Sequence, residues 1–440
     1  MRRFLTAALI AALFPSWAQA FCGFYVGKAD AALFNRASKV IIARNDGRTV
    51  ISMLNDYQGP LQDFALVVPV PQLLAREQIH VGDKAIFDRV DAYSAPRLAE
   101  YFDDDPCMQR KRALEMAAQS APSVADRSEA KLKKSLGVTV EAAYTIGEYD
   151  IVILSAKQSD GLEAWLIQNG YRIPRGAARA LRPYVRQEMR FFVAKVNMHE
   201  QAQTGLSYLR PLQFAFESEK FMLPIRLGMI NADGPQDLIA YIMTRNGRVE
   251  STNYRTVKLP ANMELPVGIR GDFPEFYKAL FTHQAQGNGL RVVFTEYFWN
   301  MNGCDPCSAD PLTADELRSA GVFWQNETAA ATRDLRTAMG NVMLTRLHVR
   351  YTPETFPEDL MFQETADQAN FQTRYVLRHA WKGDADQCPD ARAYLDGLPR
   401  RHEREARELA ALTGWSVQQI RAKYALAPVA RERWWEAIWK

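Results

Sequence analysis

The run Val40-Ile41-Ile42-Ala43-Arg44-Asn45-Asp46-Gly47-Arg48-Thr49-Val50-Ile51-Ser52-Met53-Leu54 reads as strand, turn and returning strand. Branched aliphatic residues favour the pleated surface on both arms. Asn45-Asp46-Gly47 offers residues that tolerate positive φ, as tight hairpin turns require. The arms alternate like a half-buried sheet, so an antiparallel, sheet-based lobe is expected here.

Working outward, Gln58-Gly59-Pro60 makes another turn and Asp63 to Val70 a further strand. Val68-Pro69-Val70-Pro71 ends it, and each proline removes a ladder donor, which predicts a sheet edge or an exit from the sheet. A helix follows over Ala85 to Tyr93, then a second capped by Ser94 with Pro96 just inside. Asp103-Asp104-Asp105-Pro106 and the charged run to Lys134 break the pattern. Strands resume over Val138 to Tyr144, Tyr149 to Ala156, Met189 to Asn197, Leu212 to Ser218 and Phe221 to Leu227. Asp160 and Glu163 give a capping-box pattern for a short helix. Asp237 to Thr244 and Arg248 to Tyr254 are expected to pair through Asn246-Gly247. Leu290 to Trp299 and Val342 to Tyr351 are strongly β-prone, and Asp390 to Lys440 reads as helical.

The sum is α+β: antiparallel, sandwich-like sheet lobes with short helices and a helical C-terminus. The expected segments are a signal peptide (1–20), an N-terminal β-rich lobe (21–102), a polar excursion (103–136), a main α+β lobe (137–385) and a helical tail (386–440).

Arg2-Arg3, the apolar run Phe4 to Phe14 and Ala18-Gln19-Ala20 stand in the order of a secretory signal cleaved after Ala20. Export to a periplasm or beyond the cell is therefore expected. The formal net charge is +3 and falls to +1 when Arg2 and Arg3 leave with no acidic residue. Such a balance gives no electrostatic case for nucleic acid. With 48% hydrophobic residues the chain is globular.

Five cysteines, Cys22, Cys107, Cys304, Cys307 and Cys388, are candidates for disulfides in an oxidising compartment. Five is odd, and two bonds with one cysteine left over can be made in fifteen ways. Cys304-Asp305-Pro306-Cys307 follows a β-prone run and precedes a helix boxed by Thr313 and Glu316, the order of thioredoxin-like sites. Ser308 to Leu312 separate Cys307 from that helix, unlike a redox site. A bond closing this short loop would stabilise by only about 2 kcal/mol, against about 4.5 kcal/mol for one reaching Cys388. Structural pairing is the first reading; a redox pair with Cys304 attacking and Cys307 resolving is the alternative.

Arg346-Leu347-His348-Val349-Arg350 puts Leu347 and Val349 on one face and Arg346, His348 and Arg350 on the other. Together with Arg374, Arg378 and His379 they could form a cationic surface for an anionic ligand. The plainer alternative is a solvated face paired with acids such as Glu364 and Asp367. Asp103 to Asp105 match no calcium loop and read as a solvated turn. Trp434, Trp435 and Trp439 form an indole-rich end that could dock on the protein body or on a membrane surface. HExxH, GxSxG, P-loop and GxGxxG patterns are missing. No metal site or cofactor is expected.

Cys22-Gly23-Phe24-Tyr25-Val26, Asp63 to Pro71, Cys304-Asp305-Pro306-Cys307, Phe356-Pro357-Glu358-Asp359-Leu360 and Arg374 to His379, taken in order, resemble a family of exported bacterial proteins known as domain of unknown function 2330. The resemblance implies an extracytoplasmic protein and carries no activity or catalytic residue. The first reading is a non-catalytic binding or envelope-structural protein. A thiol–disulfide oxidoreductase and a binder of an anionic ligand are the alternatives.

Overall fold

In the computed structural model, Asn45 pairs with Arg48 across a two-residue turn joining β2 (Asn35–Asn45) to β3 (Arg48–Leu54). Asp46 and Gly47 sit at φ +47° and +80°, the pair of positive values that matches the turn to strand twist. The hairpin forms as its sequence dictates. The structure describes residues 24–27, 35–54, 64–108, 143–155, 165–167, 176–206, 208–302, 309–325 and 341–426.

The hairpin lies near the middle of a nine-stranded sheet. Its order is β14 (Arg255–Lys258), β16 (Val292–Asn300), β17 (Met343–Tyr351), β12 (Ala232–Thr244), β2, β3, β10 (Leu212–Glu217) and β5 (Ile79–Val81). The ninth strand, β19 (Phe371–Gln372), pairs with β16. Neighbours run antiparallel except at two pairs, β12 with β2 and β14 with β16. A second sheet has the order β1 (Phe24–Gly27), β4 (Phe64–Val70), β9 (Arg190–Val196), β8 (Tyr149–Ser155) and β7 (Ala143–Ile146). Two three-stranded sheets complete the set: β11 (Met222–Leu223), β18 (Leu360–Glu364) and β13 (Val249–Ser251); and β15 (Met263–Leu265), β20 (Arg374–His379) and β6 (Arg97–Phe102). The fold is α+β.

The two large sheets pack face to face. Val40, Ile42, Ile51 and Met53 from one meet Leu66, Val68, Phe192 and Ala194 from the other in a single apolar cluster. Ile41 and Ala43, the alternate residues of β2, are equally buried on the opposite face, under α1 (Lys84–Ser94). The strand is thus buried on both faces and not half-buried, because helices cover what alternation alone would leave wet. The outer face of the smaller sheet carries α2 (Ala177–Arg186), followed by α3 (Met198–Thr204), which Asn197 caps. Over the larger sheet lie α4 (Phe273–Gly287) and α5 (Ala314–Ser319), the latter with the expected Thr313/Glu316 box. Next to α4 pack α6 (Pro389–Thr413) and α7 (Val417–Lys423). Pro389 opens α6 and Gly414, at φ +74°, ends it.

Strands from both sides of residues 103–136 share every one of these sheets except β11–β18–β13. Val40 lies opposite Ala240 and Leu98 opposite Tyr375. The described strands from either side of that excursion therefore share sheets. Pro69 stays within β4, opposite Phe191 of β9, so the strand does not leave the sheet there; β1 covers β4 only as far as Val67, so the expected edge exists on that side alone. The Asn246-Gly247 hairpin does not form. Both edges of β12 are taken, by β17 and β2, so the turn carries the chain out to β13, which pairs with β18. Gly247 is needed there for close approach, since a Cβ would fall 2.2 Å from the Thr365 carbonyl oxygen. Asn246 and Gly247 donate their backbone N–H groups to the Glu364 carboxylate. After Pro96 the chain forms strand β6 and not a second helix, because β20 offers it a ladder. The expected strand over Phe221 to Leu227 shrinks to β11 before a short 3-10 turn.

Candidate functional site

β17 delivers the alternation read from its sequence. Leu347 and Val349 enter the inter-sheet core, while Arg346, His348 and Arg350 point toward α1 and α4. That second face is not a cationic surface. Glu296 on β16, with no exposure, accepts from Arg346 Nε at 2.6 Å and from His348 Nδ1 at 2.6 Å. Tyr277 of α4 also donates its hydroxyl to Glu296. Arg346 Nη1 reaches Asp91 of α1 at 2.5 Å, and Asp91 also accepts from Tyr241 and Lys39. Arg350 holds Asp237 through two bonds of 2.7 Å and donates to Thr282. The His348 ring stacks on Phe281 with centroids 3.6 Å apart.

Each arginine here is matched by a carboxylate, so no charge is left for an anionic ligand. The acids foreseen for this face, Glu364 and Asp367, lie elsewhere, bound by Asn246, Gly247 and Arg248. Arg374, Arg378 and His379 belong to a different sheet, where Arg378 pairs with Glu264 and His379 with Glu100. Burial pushes the Glu296 carboxyl up, but His348, Arg346 and the Tyr277 hydroxyl outweigh it and bring it down to about 2. Asp91 is likewise held well below the usual carboxylate range by Arg346 and Lys39, against its own burial. The arrangement bolts two helices to the sheet. Sequence held one signal for it: a lone glutamate, Glu296, inside the apolar run Val292–Asn300.

Cys107 and Cys388 form a disulfide 281 residues apart in sequence. Beside it Asp103 is no solvated turn residue: it accepts from Tyr394 and Arg401 of α6 at 2.5 Å each. Cys22, Cys304 and Cys307 lie outside the described residues, as do Asp160, Glu163, Trp434, Trp435 and Trp439 and the signal segment 1–20. With Cys107 and Cys388 joined, the other three allow one more bond, in three ways.

The feature that sequence missed altogether is a cavity of about 290 Å³ at one end of the sandwich. Met53 on β3, Phe214 and Phe216 on β10, Val68 on β4, and Met189 just before β9 form its walls. All five are buried and apolar. Pro69, Pro71 and Pro224 narrow it, and Gln187, Ser218, Glu219 and Lys220 stand at its polar side. No residue pattern announces it, because its walls are ordinary core residues that fail to meet. Among the described residues, no group of three or more His, Cys, Asp or Glu is placed to hold a metal ion. Nor is any helix there long and apolar enough to cross a membrane.

A four-layered α+β sandwich with an apolar inter-sheet cavity is thus the class of protein these residues build. The chain belongs to the family described as uncharacterized protein conserved in bacteria (DUF2330), whose model matches residues 16–363. No curated protein matches it. Two solved structures of a mutated baculovirus P35 after caspase cleavage, at 9% and 10% identity, each align with 47% of this chain at a TM-score of 0.25. The matches span 64% and 65% of those P35 chains, and the overlap is too slight to bear on fold or function here.

Proposed function

We propose that this chain is an exported, non-catalytic binding protein that holds an apolar ligand between its two large sheets. The cavity of about 290 Å³ carries the reading. Its size is close to the lower end of small-molecule sites, and its lining is apolar with polar groups confined to one side, the common make-up of such sites. The Cys107–Cys388 bond supports the export part, since disulfides persist in oxidising compartments. The 1–20 segment, with its cleavage site after Ala20, supports it from the sequence side.

The test is uptake of a neutral apolar fluorophore, N-phenyl-1-naphthylamine, by the exported full chain. Saturable binding is expected, lost on filling the cavity with Val68→Phe while the melting temperature holds. Absence of saturable uptake, or unaltered uptake by a folded Val68→Phe protein, would overturn the reading.

A further inference from the structure

Resting on that reading, we infer that the cavity takes a single-chain amphiphile with a carboxylate head, its tail between the sheets and its head on Lys220. Size comes first. A volume of about 290 Å³ falls just under the usual range for small-molecule sites, which suits one short chain and not the two tails of a membrane lipid. Wall chemistry comes second. Met53, Val68, Met189 and Phe214 offer the deep part no hydrogen-bonding group, and the two methionines adapt readily to a flexible chain.

The mouth sets the head group. Lys220 is exposed there, and its ammonium donates to the Gln187 side-chain oxygen at 2.9 Å. Among the described residues no carboxylate lies within ion-pair distance of it. Arg44 adds positive charge behind the same turn, donating to the carbonyl oxygens of Ser218 and Glu219 at 2.9 and 3.2 Å while stacking on Phe221. An arriving carboxylate would replace the neutral Gln187 oxygen on Lys220 with a charged acceptor, the stronger partner. Glu219 also lines the mouth and opposes this. The preference for an acid is therefore modest.

The experiment displaces the bound naphthylamine from the full exported chain with decanoate or with decanol, which share a tail and differ in the head. Decanoate is expected to displace it at about fivefold lower concentration, the upper end for an exposed ion pair. Lys220→Met should abolish that preference and leave decanol unaffected, and Glu219→Gln should widen it. Equal displacement by both compounds would overturn the inference while leaving the cavity reading standing. So would a preference that survives Lys220→Met, or displacement by phosphatidylglycerol vesicles but by neither single-chain compound. Failure of the naphthylamine itself to bind would remove both.

Discussion

The two faces of the nine-stranded sheet are equally hidden from water, yet they are filled on opposite terms. Toward the helices, Glu296, Arg346, His348 and Asp91 meet one another at 2.5–2.6 Å. Toward the smaller sheet, Met53, Phe214 and Val68 belong to one apolar cluster and line a cavity of about 290 Å³. Charges removed from water need partners at fixed distances, so the ionic face admits little slack. Apolar contacts are individually weak and non-directional, so the other face can remain open where its side chains run short. Rigidity and room for a ligand thus sit back to back on one sheet.

The sharpest way to break this contrast is Glu296→Ala, which leaves buried Arg346 and His348 without their shared acceptor. A loss of about 3–5 kcal/mol is expected in urea unfolding. A loss under about 1 kcal/mol would mean that the ionic face does not hold the helices. Next comes the double variant Cys107→Ser/Cys388→Ser. It should lose about 2–5 kcal/mol, read as a fall in melting temperature, with naphthylamine uptake intact because neither cysteine lines the cavity.

Glu405 on α6 sharpens the contrast through pH. Burial, reinforced by Glu264 and Glu408 and opposed by Arg401 and Arg404, raises its carboxyl from 4.5 to about 7. The folded value lies above the ordinary one, so ionising the group costs stability: nothing below about pH 4.5, and increasingly as pH rises through 7. Glu405→Gln should therefore stabilise by roughly 2 kcal/mol at pH 8 and leave pH 4 unchanged, read from urea midpoints at the two pH values. Glu296 has the opposite sign. Its contribution is present above pH 4.5 and disappears as pH falls toward 2. The smallest effect belongs to the cavity: Val68→Phe should shift stability by less than about 1 kcal/mol, since overpacking normally costs 1–3 and here the ring has space. A larger loss would show the space to be filled on another account.

What the sequence disclosed and what it hid follow the same division. The Asp46-Gly47 turn was legible because its cause is local: two positive φ values between flanking β-prone runs. Asn246-Gly247 carried an equal signal and misled, because whether β12 has a free edge is decided by β2, some 200 residues earlier, and by β17. The alternation of Arg346, His348 and Arg350 was correct, but the acids that bury them sit on α1, β12 and β16, beyond any local window. The cavity left no trace, since an absence between core residues has no spelling of its own.

The position of β2 has a consequence for how the chain comes into being. Both its faces are apolar, and the strand that flanks it opposite β3 is made some 200 residues later. In a chain emerging amino-terminus first, β3, β4 and α1 follow β2 soon, but the edge of β2 opposite β3 stays unpaired until β12 arrives. The Cys107–Cys388 bond must wait longer still. Such long-range closure makes folding slow and its intermediates prone to clump. Refolding of this chain should therefore be slow, with a yield that falls as protein concentration rises.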